Sequence, residues 1–323
     1  MPTSRRCAPP GGTLTSSGCS ACIRQAESPA GHCAGDRSKV YPDLKNKVAI
    51  VTGAGRTQGL GAAIVRRLAQ EGARLVIHDL GQTKGEMAPQ HGVGLVDELE
   101  QVAESVRALG AEATTFAGDM LLEADVEAMV AHAVRTFGRV DILVNNAGVG
   151  YLFGPLLDMT QERWDTTLGV NLRGCFFAIK HVARQMVKQG PQGDWGAGRI
   201  VSVASRAAKS GSSYTSAYVA SKHGLVGLTR AAAIELGPHR INVNTVCPNH
   251  VTTGLGAWQN EFMAKARGYS SVEDYLAAMR GRIPLGRVGL VDDTAKAVAF
   301  LCSSEATYIT GEAMNVSGGE EMH

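Results

Sequence analysis

The chain of 323 residues lacks both a dominant charge and a long apolar run. Its formal net charge is +2, so composition gives no case for a nucleic-acid partner or a membrane surface. No apolar stretch reaches the ~20 residues that a membrane-spanning helix needs. Hydrophobic residues make up 44% of the sequence, which is ordinary for a globular chain able to bury a large core. We therefore predict a cytoplasmic protein that binds a small molecule and binds neither nucleic acid nor membrane.

A secreted disulfide framework is also missing. The seven cysteines are an odd number, and three of them lie in apolar contexts typical of buried small residues. The other four fall within the first 33 residues. Three of them, Cys19, Cys22 and Cys33, together with His32 are candidate zinc ligands. Residues 1–42 are rich in Ser, Gly, Pro, Ala and Arg and show no helix or strand period. This composition favours a disordered N-terminal extension without a metal.

The extension has no continuous apolar segment of the kind found in a secretory signal. A transit peptide and a translation start further downstream are the alternatives for this segment.

Residues 43–323 alternate short β-branched runs with amphipathic helical patterns. We therefore predict one α/β domain, a doubly wound Rossmann-type fold with a parallel sheet of about seven strands.

A glycine-rich loop between a strand and a helix predicts a nucleotide site. Residues 47–52 form a buried strand pattern, and residues 62–71 form a helical one. The intervening loop would place a pyrophosphate at the helix N-terminus, where glycines allow close backbone approach. The candidate cofactor-binding residues of this loop are Gly53, Gly55, Thr57, Gly59, Leu60 and Gly61.

The next strands supply further candidates. Asp79 ends the second strand, where a carboxylate can accept from both adenosine ribose hydroxyls and would repel a 2′-phosphate. It therefore favours NAD over NADP. Arg56 in the glycine loop is evidence in the other direction, because a cation there could bind the phosphate of NADP. After the third strand, Asp119 could bind the adenine amino group or cap the next helix, with Met120 beside it. After the fourth strand, Asn146, Ala147 and Gly148 offer small residues against which a cofactor can lie.

Tyr218 and Lys222 lie four residues apart, so a helix places them on one face. A phenol titrates near ~10, and moving it to about 7 takes roughly 4 kcal/mol. One cation about 4 Å away, at an effective dielectric of about 20, supplies that much. The pair can therefore act as a general acid/base, although the same spacing is common among ordinary helix-surface neighbours.

The glycine loop, the Asn145–Gly148 segment and Tyr218-x-x-x-Lys222 come in an order that resembles the short-chain dehydrogenase/reductase family over residues 44–319. The resemblance implies that Ser205 orients the substrate oxygen and that Asn171 holds a relay water. It also implies that Pro248, Val251 and Thr253 border the nicotinamide, and that the protein is a homodimer or homotetramer.

Three positions depart from the family pattern. The glycine loop has two extra residues between Gly53 and Gly59, and Ala204 precedes the catalytic serine where a second serine is frequent. Asn249 replaces a glycine, a tolerable change if the position requires a positive φ.

We therefore predict an NAD(H)-dependent oxidoreductase that interconverts a secondary alcohol and a ketone. The alternatives are an NADPH-linked ketoreductase of 3-oxoacyl type and a non-catalytic dinucleotide-binding regulatory protein. Residues 254–283 would cover the substrate. Two opposing hints concern that substrate: Arg206, Lys209 and His250 suggest an anionic group, whereas Phe153 and Trp258 suggest an apolar ring.

Overall fold

The computed structural model describes residues 40–82, 95–251 and 254–323, without the side chains of residues 254–258. The strands are β1 Val48–Val51, β2 Arg74–Asp79, β3 Ala113–Ala117, β4 Ile142–Asn145, β5 Gly198–Val203, β6 Ile241–Pro248 and β7 Ala313–Val316. The α-helices are α1 Leu60–Gln70, α2 Val96–Arg107, α3 Glu123–Phe137, α4 Gln161–Leu168, α5 Cys175–Gln189, α6 Ser216–Leu236, α7 Gly254–Ala266, α8 Val272–Arg282 and α9 Val291–Cys302.

The strands form one parallel sheet in the order β3-β2-β1-β4-β5-β6-β7. The chain winds outward in one direction as far as β3 and then returns to the other side of β1. The strand order therefore reverses between β1 and β4, and ligands of such sheets bind at the carboxyl ends of the strands at that point. The predicted doubly wound α/β architecture is confirmed.

Buried apolar side chains fill both faces of the sheet. Ala49 and Val51 join a core cluster formed with α1, α2 and α9, whereas Ile50 joins a second cluster formed with α3 and α5. This alternation follows from the two-residue period of a strand. Because both faces are covered, β1 consists of apolar residues only and β4 has a single polar residue, Asn145.

The structure differs from the predicted elements in one helix that bears on the site. We expected a single helix over residues 165–189, but α4 and α5 are joined by a π-helical turn, Gly169–Gly174, that contains Asn171. π-Turns inside helices are frequent at functional sites.

Folded contacts also begin slightly earlier than predicted, because the Tyr41 amide donates to Glu71 Oε2 at 2.8 Å. The cysteines and the histidine weighed as a zinc site, with nearly all of the N-terminal extension, lie outside the described residues. No helix in the described ranges combines the length and apolar character needed to cross a bilayer.

Candidate active site

Two glycines let β1, α1 and the loop after β4 meet closely. Gly53 has φ +64°, and a Cβ atom there would lie 2.5 Å from the Cα of Ala147. At Gly61 a Cβ atom would lie 2.4 Å from the carbonyl oxygen of Gly53. Both distances are far below van der Waals contact and involve backbone atoms, so neither position accepts a side chain without backbone movement. Gly59 precedes α1 as its N-cap, and Leu60 is its first residue.

A hydrogen-bonded bridge joins the ends of β1 and β4. The hydroxyl oxygen of Thr52 accepts from the amides of Asn146 and Ala147, each at 3.1 Å. The side-chain amide of Asn146 donates to the carbonyl oxygens of Thr52 at 3.0 Å and Gly53 at 2.7 Å. The Asn146 amide nitrogen therefore braces the glycine loop. The sequence did not predict that the Thr52 hydroxyl would hold the backbone of Asn146 and Ala147.

Asp79 is the last residue of β2, and its carboxylate contacts the glycine loop. Oδ2 accepts from the Gly55 amide at 2.8 Å, and Oδ1 accepts from the Leu80 amide at 2.8 Å. Burial raises the pKa of Asp79, and the two amide hydrogen bonds oppose that rise. Each oxygen keeps a further lone pair for a ligand hydroxyl.

Thr57 is engaged by a residue that sequence reasoning did not single out. Its amide donates to Glu98 Oε1 at 2.8 Å, and its hydroxyl donates to the same oxygen at 3.1 Å. Glu98 belongs to α2, 41 residues further along the chain. Both donors of this predicted cofactor residue are thus already satisfied within the protein.

Asp119 and Met120 follow β3. Asp119 Oδ1 accepts from the Leu121 amide at 2.9 Å, in the turn just before α3. The α3 helix begins at Glu123 with Leu122 as its N-cap, so this contact lies outside the helix. The Met120 side chain is buried in the core cluster on the α3 face, so only its backbone is placed to meet a ligand.

Lys222 is buried one turn beyond Tyr218 on α6. Its Nζ donates to the Val203 carbonyl oxygen at 2.9 Å and lies 5.6 Å from the centroid of the Tyr218 ring. A Cβ atom built on Gly148 would lie 3.7 Å from Lys222 Nζ and 3.3 Å from Asn171 Oδ1. The predicted catalytic side chains of Asn171 and Lys222 therefore meet at Gly148, beside the point where the strand order reverses.

Asn171 is fully buried and pairs with the neighbouring backbone. Its Oδ1 accepts from the Val149 amide at 2.7 Å, and its Nδ2 donates to the Val149 carbonyl at 2.9 Å and to Ser221 Oγ at 3.1 Å. Both amide hydrogens are therefore in use. A relay water would have to bind the remaining lone pair of Oδ1 or the backbone of the π-turn.

Ser205 lies two residues beyond β5, where its hydroxyl oxygen accepts from the Ala207 amide at 3.1 Å. Accepting that bond leaves the hydroxyl hydrogen for donation to another oxygen. Pro248 ends β6, and Val251 forms an isolated parallel bridge with Gly289. Thr253 lies outside the described residues.

Asn249 does not have a positive φ, so the condition under which we expected asparagine to replace glycine does not apply. Its Nδ2 instead donates to the Ser317 carbonyl oxygen at 2.9 Å and to Glu320 Oε2 at 3.2 Å. The side chain therefore ties the loop after β6 to the C-terminal residues.

Aromatic rings link Tyr218 to α7. The Phe153 ring packs edge-on against Tyr218, with centroids 6.2 Å apart, and lies 6.1 Å from the Phe262 ring. Tyr214 packs edge-on against Phe262 at 6.3 Å. Gln259 of α7 donates to the carbonyl oxygen of Gly150, next to the Tyr218 ring.

The basic residues near this site are engaged by the C-terminal residues. The nearly buried carboxylate of Glu320 lies 3.8 Å from Arg206 Nε and 3.8 Å from Arg282 Nε. Lys209 donates to the backbone oxygen of His323. Burial lowers the pKa of His250, and the charge of Glu320 opposes that shift. Arg206 and Lys209 therefore each face an acceptor within the protein.

Within the described ranges, no group of three or more His, Cys, Asp or Glu side chains is placed to hold a metal ion.

The chain is similar to known proteins over most of its length. A family model described as enoyl-(acyl carrier protein) reductase matches residues 53–321. A short-chain dehydrogenase/reductase of Hericium erinaceus is 38% identical, over 84% of this chain and 96% of the relative. An L-rhamnose 1-dehydrogenase (NAD(P)(+)) of Azotobacter vinelandii is 36% identical, over 85% of this chain and 97% of the relative.

Among solved structures, the carveol dehydrogenase from Mycobacterium avium in complex with NAD is similar, with a TM-score of 0.77 and 31% identity. The match covers 85% of this chain and 98% of that one. The chain belongs to the short-chain dehydrogenase/reductase family of oxidoreductases.

Proposed function

We propose that the protein is an NAD(H)-dependent oxidoreductase that interconverts a secondary alcohol and a ketone. The observation that carries this proposal is the meeting of Lys222, Asn171 and Gly148 next to the Tyr218 ring, at the reversal of the strand order. A buried ammonium one helical turn from a phenol is the arrangement that a tyrosine general acid/base requires.

The glycine loop and the end of β2 fit a dinucleotide with two free ribose hydroxyls. Gly53 and Gly61 bring the loop, β4 and the start of α1 together, and the first turn of α1 offers backbone amides to a pyrophosphate. The Asp79 carboxylate would accept from the adenosine ribose, and its charge disfavours a 2′-phosphate. The remaining residues proposed to contact the cofactor are Asn146, Ala147, Gly148, Tyr218, Lys222, Pro248 and Val251. Bound NAD would supply the hydride acceptor.

The side chains of the chain itself would then handle the proton and the substrate oxygen. Tyr218 takes the hydroxyl proton during oxidation and returns it during reduction. Ser205 donates its hydroxyl hydrogen to the same substrate oxygen and so fixes its position. Lys222, held by the Val203 carbonyl, places its side-chain nitrogen beside the tyrosine, and Asn171 holds the Val149 backbone.

An apolar substrate body suits the cover better than an anionic one. Phe153 and Phe262 supply aromatic surface that begins at the Tyr218 ring. The cations that could have received an anionic group face Glu320 and the His323 backbone instead. We therefore propose an apolar, ring-bearing alcohol or ketone. A homodimeric or homotetrameric state and a cytoplasmic location stay predictions.

The direct test is a screen of the purified full-length chain with NAD or NADP against secondary alcohols, both apolar cyclic compounds and linear polyols. We expect NADH formation with at least one cyclic alcohol and a kcat/KM at least tenfold higher with NAD than with NADP. A preference for NADP would instead support a ketoreductase. Tight NADH binding without turnover of any alcohol or ketone would contradict the catalytic assignment.

A further inference from the structure

The enlarged glycine loop is held from two helices at Thr57. Glu98 of α2 accepts from the amide and the hydroxyl of Thr57 through one carboxylate oxygen, at 2.8 and 3.1 Å. Arg66 of α1 donates from Nη1 to the carbonyl oxygen of Thr57 at 3.1 Å. All the polar groups of Thr57 are therefore engaged. The glycine loop, which is two residues longer than the family pattern, is thus fixed to α1 and α2 at this residue.

The Glu98 carboxylate lies close to the Asp79 carboxylate. Gly55, only two residues before Thr57, donates its amide to Asp79 Oδ2 at 2.8 Å. Nitrogen atoms two residues apart are at most about 7 Å from each other, so the two carboxylates lie within roughly 13 Å. They border the same short strip of backbone, and the charge of Glu98 acts against the ionisation of Asp79 while that of Arg56 favours it.

We propose that Glu98 is a positioning and specificity-determining residue of the cofactor site. Its carboxylate holds the enlarged glycine loop through Thr57 and places a second negative charge near the adenosine ribose, where it disfavours a 2′-phosphate. This inference rests on the proposed function, because it takes the region between Gly55 and Asp79 as the ribose site. It also bears on Arg56, whose charge already acts on the Asp79 carboxylate and is therefore less available to a 2′-phosphate.

Two substitutions separate the two roles. Glu98→Gln keeps an acceptor oxygen for Thr57 and removes the charge, whereas Glu98→Ala removes both. Glu104→Gln is the matched control, because Glu104 is an exposed residue of the same helix and lies about 9 Å further along its axis. None of the three changes touches the proposed catalytic residues.

The readout is the dissociation constant of NADH and of NADPH, measured without substrate by the fluorescence of the reduced nicotinamide. For Glu98→Gln we expect NADPH to bind about three- to tenfold more tightly, the effect of removing one charge about 10 Å from a phosphate, while NADH changes less than about twofold. High salt should shrink the gain, because it screens exposed charges. For Glu98→Ala we expect NADH to bind at least about fivefold more weakly, because the loop is released. Glu104→Gln should alter neither constant.

An unchanged ratio of NADPH to NADH affinity in Glu98→Gln would overturn the specificity role, and unchanged NADH affinity in Glu98→Ala would overturn the positioning role. A wild-type preference for NADPH would overturn the inference as a whole. A wild type that prefers NADH but oxidises no alcohol would remove the proposed reaction and leave the role of Glu98 intact.

Discussion

Replacing Asn171 with leucine should destabilise the protein by about 4 kcal/mol. Leucine has nearly the shape of asparagine, so the change removes hydrogen bonds without opening a large cavity. It leaves the Val149 amide and carbonyl without their hydrogen bonds to the Asn171 side chain, in a buried position. Each such group costs about 2 kcal/mol when it loses its partner. Ser221 contributes less, because its hydroxyl still donates to the Tyr218 carbonyl oxygen.

Asn145→Leu is the matched control. Asn145 is equally buried, but its side-chain amide donates only a long 3.3 Å hydrogen bond to Ser202 Oγ within the described residues. Its Oδ1 has no partner within the described part of the chain. Removing an unsatisfied oxygen offsets the loss of a weak bond, so the free energy of unfolding should change by less than about 1 kcal/mol.

Urea unfolding and differential scanning calorimetry would measure both variants. We expect Asn171→Leu to lower Tm by roughly 10 °C and Asn145→Leu to leave it within about 3 °C. Equal effects of the two substitutions would refute the reasoning, because burial alone would then set the cost. Loss of activity in Asn171→Leu well below its Tm would further connect the Val149 backbone to the pocket.

Three other substitutions test separate features. Gly61→Ala should weaken NADH binding at least tenfold in calorimetric titration, because its Cβ would press on the Gly53 carbonyl. Burial lowers the pKa of His78 to about 4, so its neutral form stabilises the fold fully above about pH 6.5. The free energy of unfolding should therefore fall by about 3 kcal/mol as the pH is lowered toward 4. Urea titrations should show that this pH dependence disappears in His78→Gln and persists in the exposed control His223→Gln. Phe153→Ala should raise KM for apolar cyclic alcohols at least fivefold and leave KM for linear polyols within about twofold.

The fold could be predicted because its signals are local. Short β-branched runs between glycine-containing turns specify buried parallel strands, and the strand predicted within residues 47–52 contains β1. Gly53 and Gly61 were identifiable because close backbone approach admits no other residue.

What escaped prediction depends on contacts between distant parts of the chain. The π-turn at Asn171 looks like ordinary helix in sequence, because the Val149 backbone that binds it lies 22 residues away. Glu98 gave no signal, since only the packing of α2 against the glycine loop brings it to Thr57. Glu320 likewise meets Arg206 and Arg282 only through contacts between residues far apart in sequence.

Tyr218→Phe tests the central claim most directly. The substitution keeps the ring that packs on Phe153 and removes only the hydroxyl group. NADH affinity should stay within about twofold of the wild type, while kcat for the best alcohol found in the screen should fall by about 10² to 10⁴. Unchanged turnover with intact NADH binding would show that another group moves the proton.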